Sequence, residues 1–279
     1  MKFIDKIINR LESINSHVCI GLDSRYDRIP YIFKKNQTVL NAIFAFNKNV
    51  IEATHHLATA YKSNLAFYAG FEHDGFEAAK LTNEYIKSYY PEIPIIADCK
   101  RSEMGESAKM TKQEIFDWLQ FDCIMVTPWF GEDTVSQYLQ DKKQGVCVYI
   151  HNSNPSAGEF QDLALKNGKY LYEVVAERVS KVWNSNGNIF VEAGATYPEQ
   201  LKKIRKIIGE DMPLLTAGIG AQGAPVENVK GLFGKNKKRL LVNSSRNIIF
   251  AGENRKDYFL AVKEAAENLC NDLLRVTKL

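Results

Sequence analysis

The chain has 279 residues, 45% of them hydrophobic and 25% charged, with a net charge of +3. That length can bury a large core as one barrel or two small domains, and the composition is that of a soluble globular protein rather than a disordered or fibrous one. So mild a charge gives no ground for a nucleic-acid or membrane partner, and no apolar run approaches the length of a membrane span.

The first element is helical: Phe3, Ile4, Ile7, Ile8 and Leu11 recur at helical spacing, without the uninterrupted apolar stretch of a secretory leader. Strand-like runs follow at His17–Asp23, Ala60–Tyr68, Ile93–Lys100, Phe121–Thr127, Gly145–His151, Asn188–Ala193, Met212–Ala217 and Arg239–Asn243. Between them lie helical patterns: Val39 to Leu57, Gly75–Tyr89, Glu103–Leu119, Tyr170–Val182, Pro198–Ile208 and, at the end, Asp257–Leu274. Near-continuous apolar strands alternating with helices imply a parallel sheet covered by helices. Eight such units predict a single (β/α)8 TIM barrel over residues 1–279, with an open doubly wound sheet as the alternative. No linker, low-complexity tract or repeat divides the chain. The five cysteines are an odd number without metal spacing, and four sit in apolar runs, which points to free thiols in a reducing, cytoplasmic setting.

A barrel of this kind places its chemistry where strands end and loops begin, at one face. The strand ends here carry Asp23, Lys62, Asp98 with Lys100, Thr127, His151 to Asn154, Gly194 to Thr196, Gly218 to Gly223, and Ser244 to Arg246. Most unusual is "IIADCKRSEMGESA", where an apolar strand ends in four charges. Residues two apart on a strand share a face, so Asp98 and Lys100 should both enter the barrel mouth, with Cys99 turned towards the helices. Glu103 follows in the loop or first helical turn, and Lys62 supplies a second cation. An ion-pair lattice plugging the barrel end is the plainer reading of D-x-K-x-x-E alone; convergence with the other strand ends favours an active site.

"GIGAQG", Gly218–Gly223, fits G-x-G-x-x-G, but the acidic residue of a dinucleotide fold is missing from the next strand end, which reads "NSSRNI". What remains is a glycine-lined turn whose amides can approach a phosphate, with Arg246 delivered alongside as a bidentate partner. His151 reads as a structural histidine, and His55-His56 lacks a metal-binding partner pattern.

These blocks, taken together with "YKSNLAFY", "VTPWFGEDT", "HNSNPSAGEFQ" and "GATYPEQL", resemble the orotidine 5′-phosphate decarboxylase family, in its longer bacterial branch with the D-A-K-R-G-D-I-G pattern. The resemblance runs in order from "CIGLD" to "NSSRNI". It implies decarboxylation of orotidine 5′-phosphate to uridine 5′-phosphate, without metal or organic cofactor. It also implies a catalytic array of Lys62, Asp98, Lys100 and Glu103, the last in place of the family's Asp. Asp23 would bind the ribose hydroxyls and Ser153 the pyrimidine. Gln222, with Gly223 of the same loop, would link base and phosphate, and Arg246 would hold the phosphate. Ser107 stands where a Thr reaches the ligand. In the family that Thr and the fourth carboxylate cross a dimer interface, implying a homodimer with active sites at the interface.

The sequence departs from the pattern at several points. Glu103 carries one more methylene than Asp, displacing the carboxylate by roughly 1.5 Å on an unchanged backbone. Ser102 replaces a glycine, Ala217 precedes Gly218 where a Pro is usual, Asn152 replaces a Thr, and Glu192 brings a carboxylate into an apolar strand. Two other functions therefore stand beside the leading one: a nucleotide-binding relative that turns nothing over, and a Mg²⁺-dependent keto-sugar-phosphate decarboxylase.

Overall fold

A computed structural model describes residues 1–220, 223–253, 255 and 257–278. Eight parallel strands close into a barrel in sequence order: β1 Val18–Gly21, β2 Ala60–Asn64, β3 Ile95–Arg101, β4 Cys123–Val126, β5 Gly145–His151, β6 Ile189–Gly194, β7 Leu214–Ala217 and β8 Leu240–Ser244, with β8 returning to β1. The (β/α)8 expectation holds, and the open sheet is excluded by the β1–β8 pairing, Val18 opposite Val242. Each strand is buried on both faces, which is why the runs read as continuously apolar rather than alternating.

Those two faces serve two cores. Outward residues such as Val18, Ile20, Ile95, Val146 and Val191 pack against the surrounding helices. Inward residues, among them Cys19, Ala60, Ile96, Cys123, Met125, Phe190, Leu215 and Leu241, form a separate cluster inside the barrel. The helix Phe3–Ile14 closes the barrel's lower end by adding Phe3, Ile7 and Leu11 to that cluster. Its apolar residues recur every four positions and so line one face. Phe3 approaches so closely that a Cβ on Gly145 would lie 2.1 Å from its ring, so β5 must begin with glycine.

Two elements differ from the sequence-based expectation. The run Ala60–Tyr68 is strand only to Asn64; the side chain of Asn64 then accepts the Ala66 N–H at 3.1 Å, and Ala66–Ala69 forms a helical turn. Its apolar residues cover the end of β1 instead of extending the sheet: Tyr68 is buried and donates to the Leu22 carbonyl at 2.6 Å. The helix expected from Glu103 starts at Gly105, whose φ of 51° is left-handed, and passes into a π-helical stretch, Gln113–Trp118. Glu103 therefore lies in the connection ahead of the helix.

Candidate active site

The upper end of the barrel holds a cavity of about 330 Å³. Its floor is built by inward positions one layer above the apolar cluster: Lys62 on β2, Asp98 and Lys100 on β3, Tyr149 on β5, Glu192 on β6 and Asn243 on β8. The strand period that places Ile96 inside the barrel places Asp98 there too.

Asp98 is the hub. Lys62 Nζ reaches Oδ2 at 2.7 Å, while Lys100 Nζ and the Tyr149 hydroxyl reach Oδ1 at 2.5 and 3.0 Å. Lys62 and Asp98 are almost wholly enclosed, with side-chain exposures of 4% and 5%. Burial opposes ionisation of Asp98, but the Lys62 and Lys100 ammoniums outweigh it and hold the carboxyl below its ordinary range. Burial likewise works against a charged Lys62; Asp98, with Asp23 and Glu192, reverses the effect and raises it. Two charges survive here because each is paired and hydrogen-bonded.

Asp98 and Lys100 do share the barrel mouth, and Cys99 does pack towards the helices. The route is not a regular strand, however. The β3–β4 register slips between Ala97 and Arg101, and Lys100 adopts a left-handed φ of 51°. Such a backbone costs about 1–3 kcal/mol in a residue with a side chain. The bulge turns the long Lys100 side chain back over Asp98 and the Tyr149 ring, 5.0 Å from its centroid.

Asp23 lines the same cavity and accepts the Asn64 N–H at 3.1 Å. Ser153 lines it from the loop after β5. That loop rests on the end of β6: Thr196 Oγ1 donates to the Ser153 carbonyl at 3.0 Å, and a Cβ on Gly194 would lie 2.8 Å from Ser153 Cα. His151, beneath it, is a structural histidine, with Nδ1 3.0 Å from the Asn152 carbonyl and Nε2 3.2 Å from Asp162. Gly218 and Ile219 after β7, and Ser245 and Arg246 after β8, complete the rim.

Three expected residues are not brought into this cavity. Glu103 is part-exposed and lies 3.8 Å from the Arg101 guanidinium. Ser107 is exposed on the helix Gly105–Lys112. Both point outwards because the bulged connection carries the chain off the barrel mouth before the helix begins. Gly223 turns its N–H to the Gly220 carbonyl at 2.9 Å, and Gly220 and Ala224 spend their amides in the same turn. Gln222 lies outside the described residues. Ser102 takes no left-handed backbone; its hydroxyl bonds the Thr127 carbonyl at 2.8 Å and ties the connection to the end of β4.

Tyr149, Asn64 and Asn243 line this cavity and were not singled out by sequence reasoning. Their signal was the inward phase: Tyr149 lies two positions beyond Cys147, and Asn64 two beyond Lys62.

The family model for orotidine 5′-phosphate decarboxylase / HUMPS matches residues 16–258, nearly the whole barrel. The chain belongs to that family. Orotidine 5′-phosphate decarboxylase of Cellvibrio japonicus is 38% identical over 274 residues, covering 96% of this chain and 97% of that protein. The enzyme of the same name from Christiangramia forsetii is 41% identical over 240 residues, 85% of each. Among solved structures, OMP decarboxylase of Leishmania donovani superposes with a TM-score of 0.84 at 27% identity, covering the whole of both chains. The decarboxylase family is thus met in sequence and in fold, and the Lys62–Asp98–Lys100 cluster occupies the cavity of its barrel.

Proposed function

We infer that this chain is an orotidine 5′-phosphate decarboxylase, a carbon–carbon lyase producing uridine 5′-phosphate in de novo pyrimidine synthesis, within one domain spanning residues 1–279. Family membership supports the activity. The observation that carries the mechanism is an enclosed aspartate held ionised between two lysines on the floor of the cavity.

In this reading the pyrimidine carboxylate lies beside Asp98, where like charges disfavour the bound ground state. The C6–carboxylate bond breaks, carbon dioxide leaves, and the electron pair remains at C6. The Lys100 ammonium stabilises that charge and then gives its proton to C6; solvent reprotonates the amine. Preorganised charge of this kind needs no reorganisation during reaction. Lys62 holds Asp98 in place. Asp23 takes the ribose hydroxyls, Ser153 the pyrimidine edge, Gln222 bridges base and phosphate, and Arg246 takes the phosphate, whose remote binding energy supports loop closure.

Glu103 and Ser107 belong to the partner's site in a homodimer. Their outward position supports this, as do the exposed Met104 and Met110 close by and Trp129 on the β4 loop. Five free thiols, three of them buried, fit a reducing cytoplasm. No helix among the described residues is long and apolar enough to cross a membrane.

The test is loss of orotate absorbance with purified protein treated with EDTA. Turnover should persist without added Mg²⁺, and Lys100→Ala should lower it by at least about a thousandfold. A requirement for Mg²⁺ would point instead to the keto-sugar-phosphate chemistry. Tight uridine 5′-phosphate binding without any turnover would leave a nucleotide-binding protein.

A further inference from the structure

Glu192 is the carboxyl group of the cavity floor that the mechanism above does not use. It is an inward position of β6, buried, at the base of the cavity. Its Oε2 has no hydrogen-bond partner among the described residues, and it makes no ion pair with any of them. The reason lies in the neighbouring bonds. Both lysines of the floor are committed to Asp98, and the Tyr149 hydroxyl, opposite Glu192 across the β5–β6 register, is shared: it donates to Asp98 at 3.0 Å and also interacts with the Glu192 carboxyl, leaving Oε2 without a partner.

Two carboxyl groups in one enclosed site do not ionise alike. Asp98 has both cations and is the ionised member. Among the described residues, the titratable groups set against Glu192 are Lys62 from β2, Asp98 and Lys100 from β3, Tyr149 and the Cys147 thiol from β5, and the Cys19 thiol from β1. Burial comes first in raising Glu192; Lys62, Lys100 and the Tyr149 hydroxyl partly offset it and Asp98 adds to it, so that the carboxyl is pushed up to about 7. A protonated Glu192 is compatible with the array as it stands. An ionised one would compete with Asp98 for Lys62, Lys100 and the Tyr149 hydroxyl.

We propose that Glu192 is a positioning residue of the decarboxylase site, which acts through Tyr149 and the two lysines: protonated, it leaves Asp98 as the only carboxylate of the cavity floor; ionised, it draws the cations and the tyrosine hydroxyl from Asp98 and lowers turnover. The proposal rests on the decarboxylase reading. It makes this site one whose output falls as the surroundings turn alkaline, through a group three strands away from the aspartate it controls.

The experiment compares wild type, Glu192→Gln and Tyr149→Phe in kcat/KM for orotidine 5′-phosphate from about pH 5.5 to 9, with thermal unfolding midpoints from about pH 4 to 9. Gln keeps the shape and a neutral donor but cannot ionise. We expect a falling alkaline limb near neutrality in wild type that Glu192→Gln lacks, with Gln retaining turnover at the acid end within roughly threefold. Raising a carboxyl above its unfolded value contributes stability at low pH that is lost as pH rises through the folded value. The wild-type midpoint should therefore decline between about pH 4.5 and 7 relative to Glu192→Gln. Tyr149→Phe changes no carboxyl and should lower kcat by roughly tenfold while keeping the limb. Superimposable pH profiles of wild type and Glu192→Gln would overturn the proposal. So would a folded Glu192→Gln protein inactive at every pH, which would make the carboxyl a direct participant. A wild type without turnover at any pH would overturn the decarboxylase reading itself, and this inference with it.

Discussion

The two ends of the barrel interior are built on the same strands by the same alternation, yet they are opposites. The lower end is hydrocarbon and thiol: Phe3, Ile7 and Leu11 press against Cys19, Cys123, Phe190 and Leu241, all wholly or almost wholly buried. One layer up, equally enclosed positions hold Lys62, Asp98 and Glu192. The first arrangement is what burial rewards, at about 25 cal/mol per Å² of apolar surface. The second is what burial penalises, and it persists only where pairing compensates. Apolar burial is thus concentrated at the end away from the cavity. The reactive end adds a left-handed Lys100 and an unpaired Glu192 Oε2 to the charges it holds.

This contrast can be broken from the reactive side first. Replacing Lys62 and Asp98 together by Met and Leu should abolish turnover, yet leave stability unchanged or raised by up to about 4 kcal/mol, because a buried ion pair seldom outperforms packed apolar groups. Orotate absorbance and urea unfolding of the same preparation give both numbers; a double variant that unfolds would refute the contrast. From the other side, Phe3→Ala should cost about 3–5 kcal/mol of stability, since it opens a cavity between the N-terminal helix and β5. Its kcat should match wild type at temperatures where it remains folded.

Acid sharpens the comparison further. The Asp98 carboxyl, kept ionised below its ordinary value of 3.8, contributes stability that is present above that value and lost as pH falls towards about 2. The fall in unfolding midpoint over this window should be shallower in Asp98→Asn, and a parallel fall would show the pair to be unimportant. The smallest effect should come from Glu103→Asp. Because Glu103 sits in a connection ahead of its helix and not on a fixed turn of it, the loop can take up the extra methylene. Its kcat should change by less than about tenfold; a larger gain would mean that the longer side chain impairs the natural protein.

Much of this was legible without coordinates. The eight strands appear within a few residues of where the apolar runs fall, because a strand buried on both faces has no polar side to blur it. Asp98, Lys100 and Lys62 stood out because a charge ending such a run has few explanations besides a site. Tyr149 did not stand out: a tyrosine within an apolar strand is ordinary, and only its hydroxyl's approach to Asp98 gives it a role. Ala66–Tyr68 read as strand because apolarity alone does not distinguish a covered strand end from a covering helical turn.

What the sequence determined by itself was the barrel, the strand ends that line its cavity, and the family resemblance, since all three depend on residue type and order. Which groups meet was decided by tertiary structure. The β3 bulge brings Lys100 over Asp98 and takes Glu103 away from it, and closure of β8 onto β1 brings Arg246 to the rim of the cavity that Asp23 lines. Those distances come from backbone register and barrel closure, which join residues far apart in the chain and leave no local pattern.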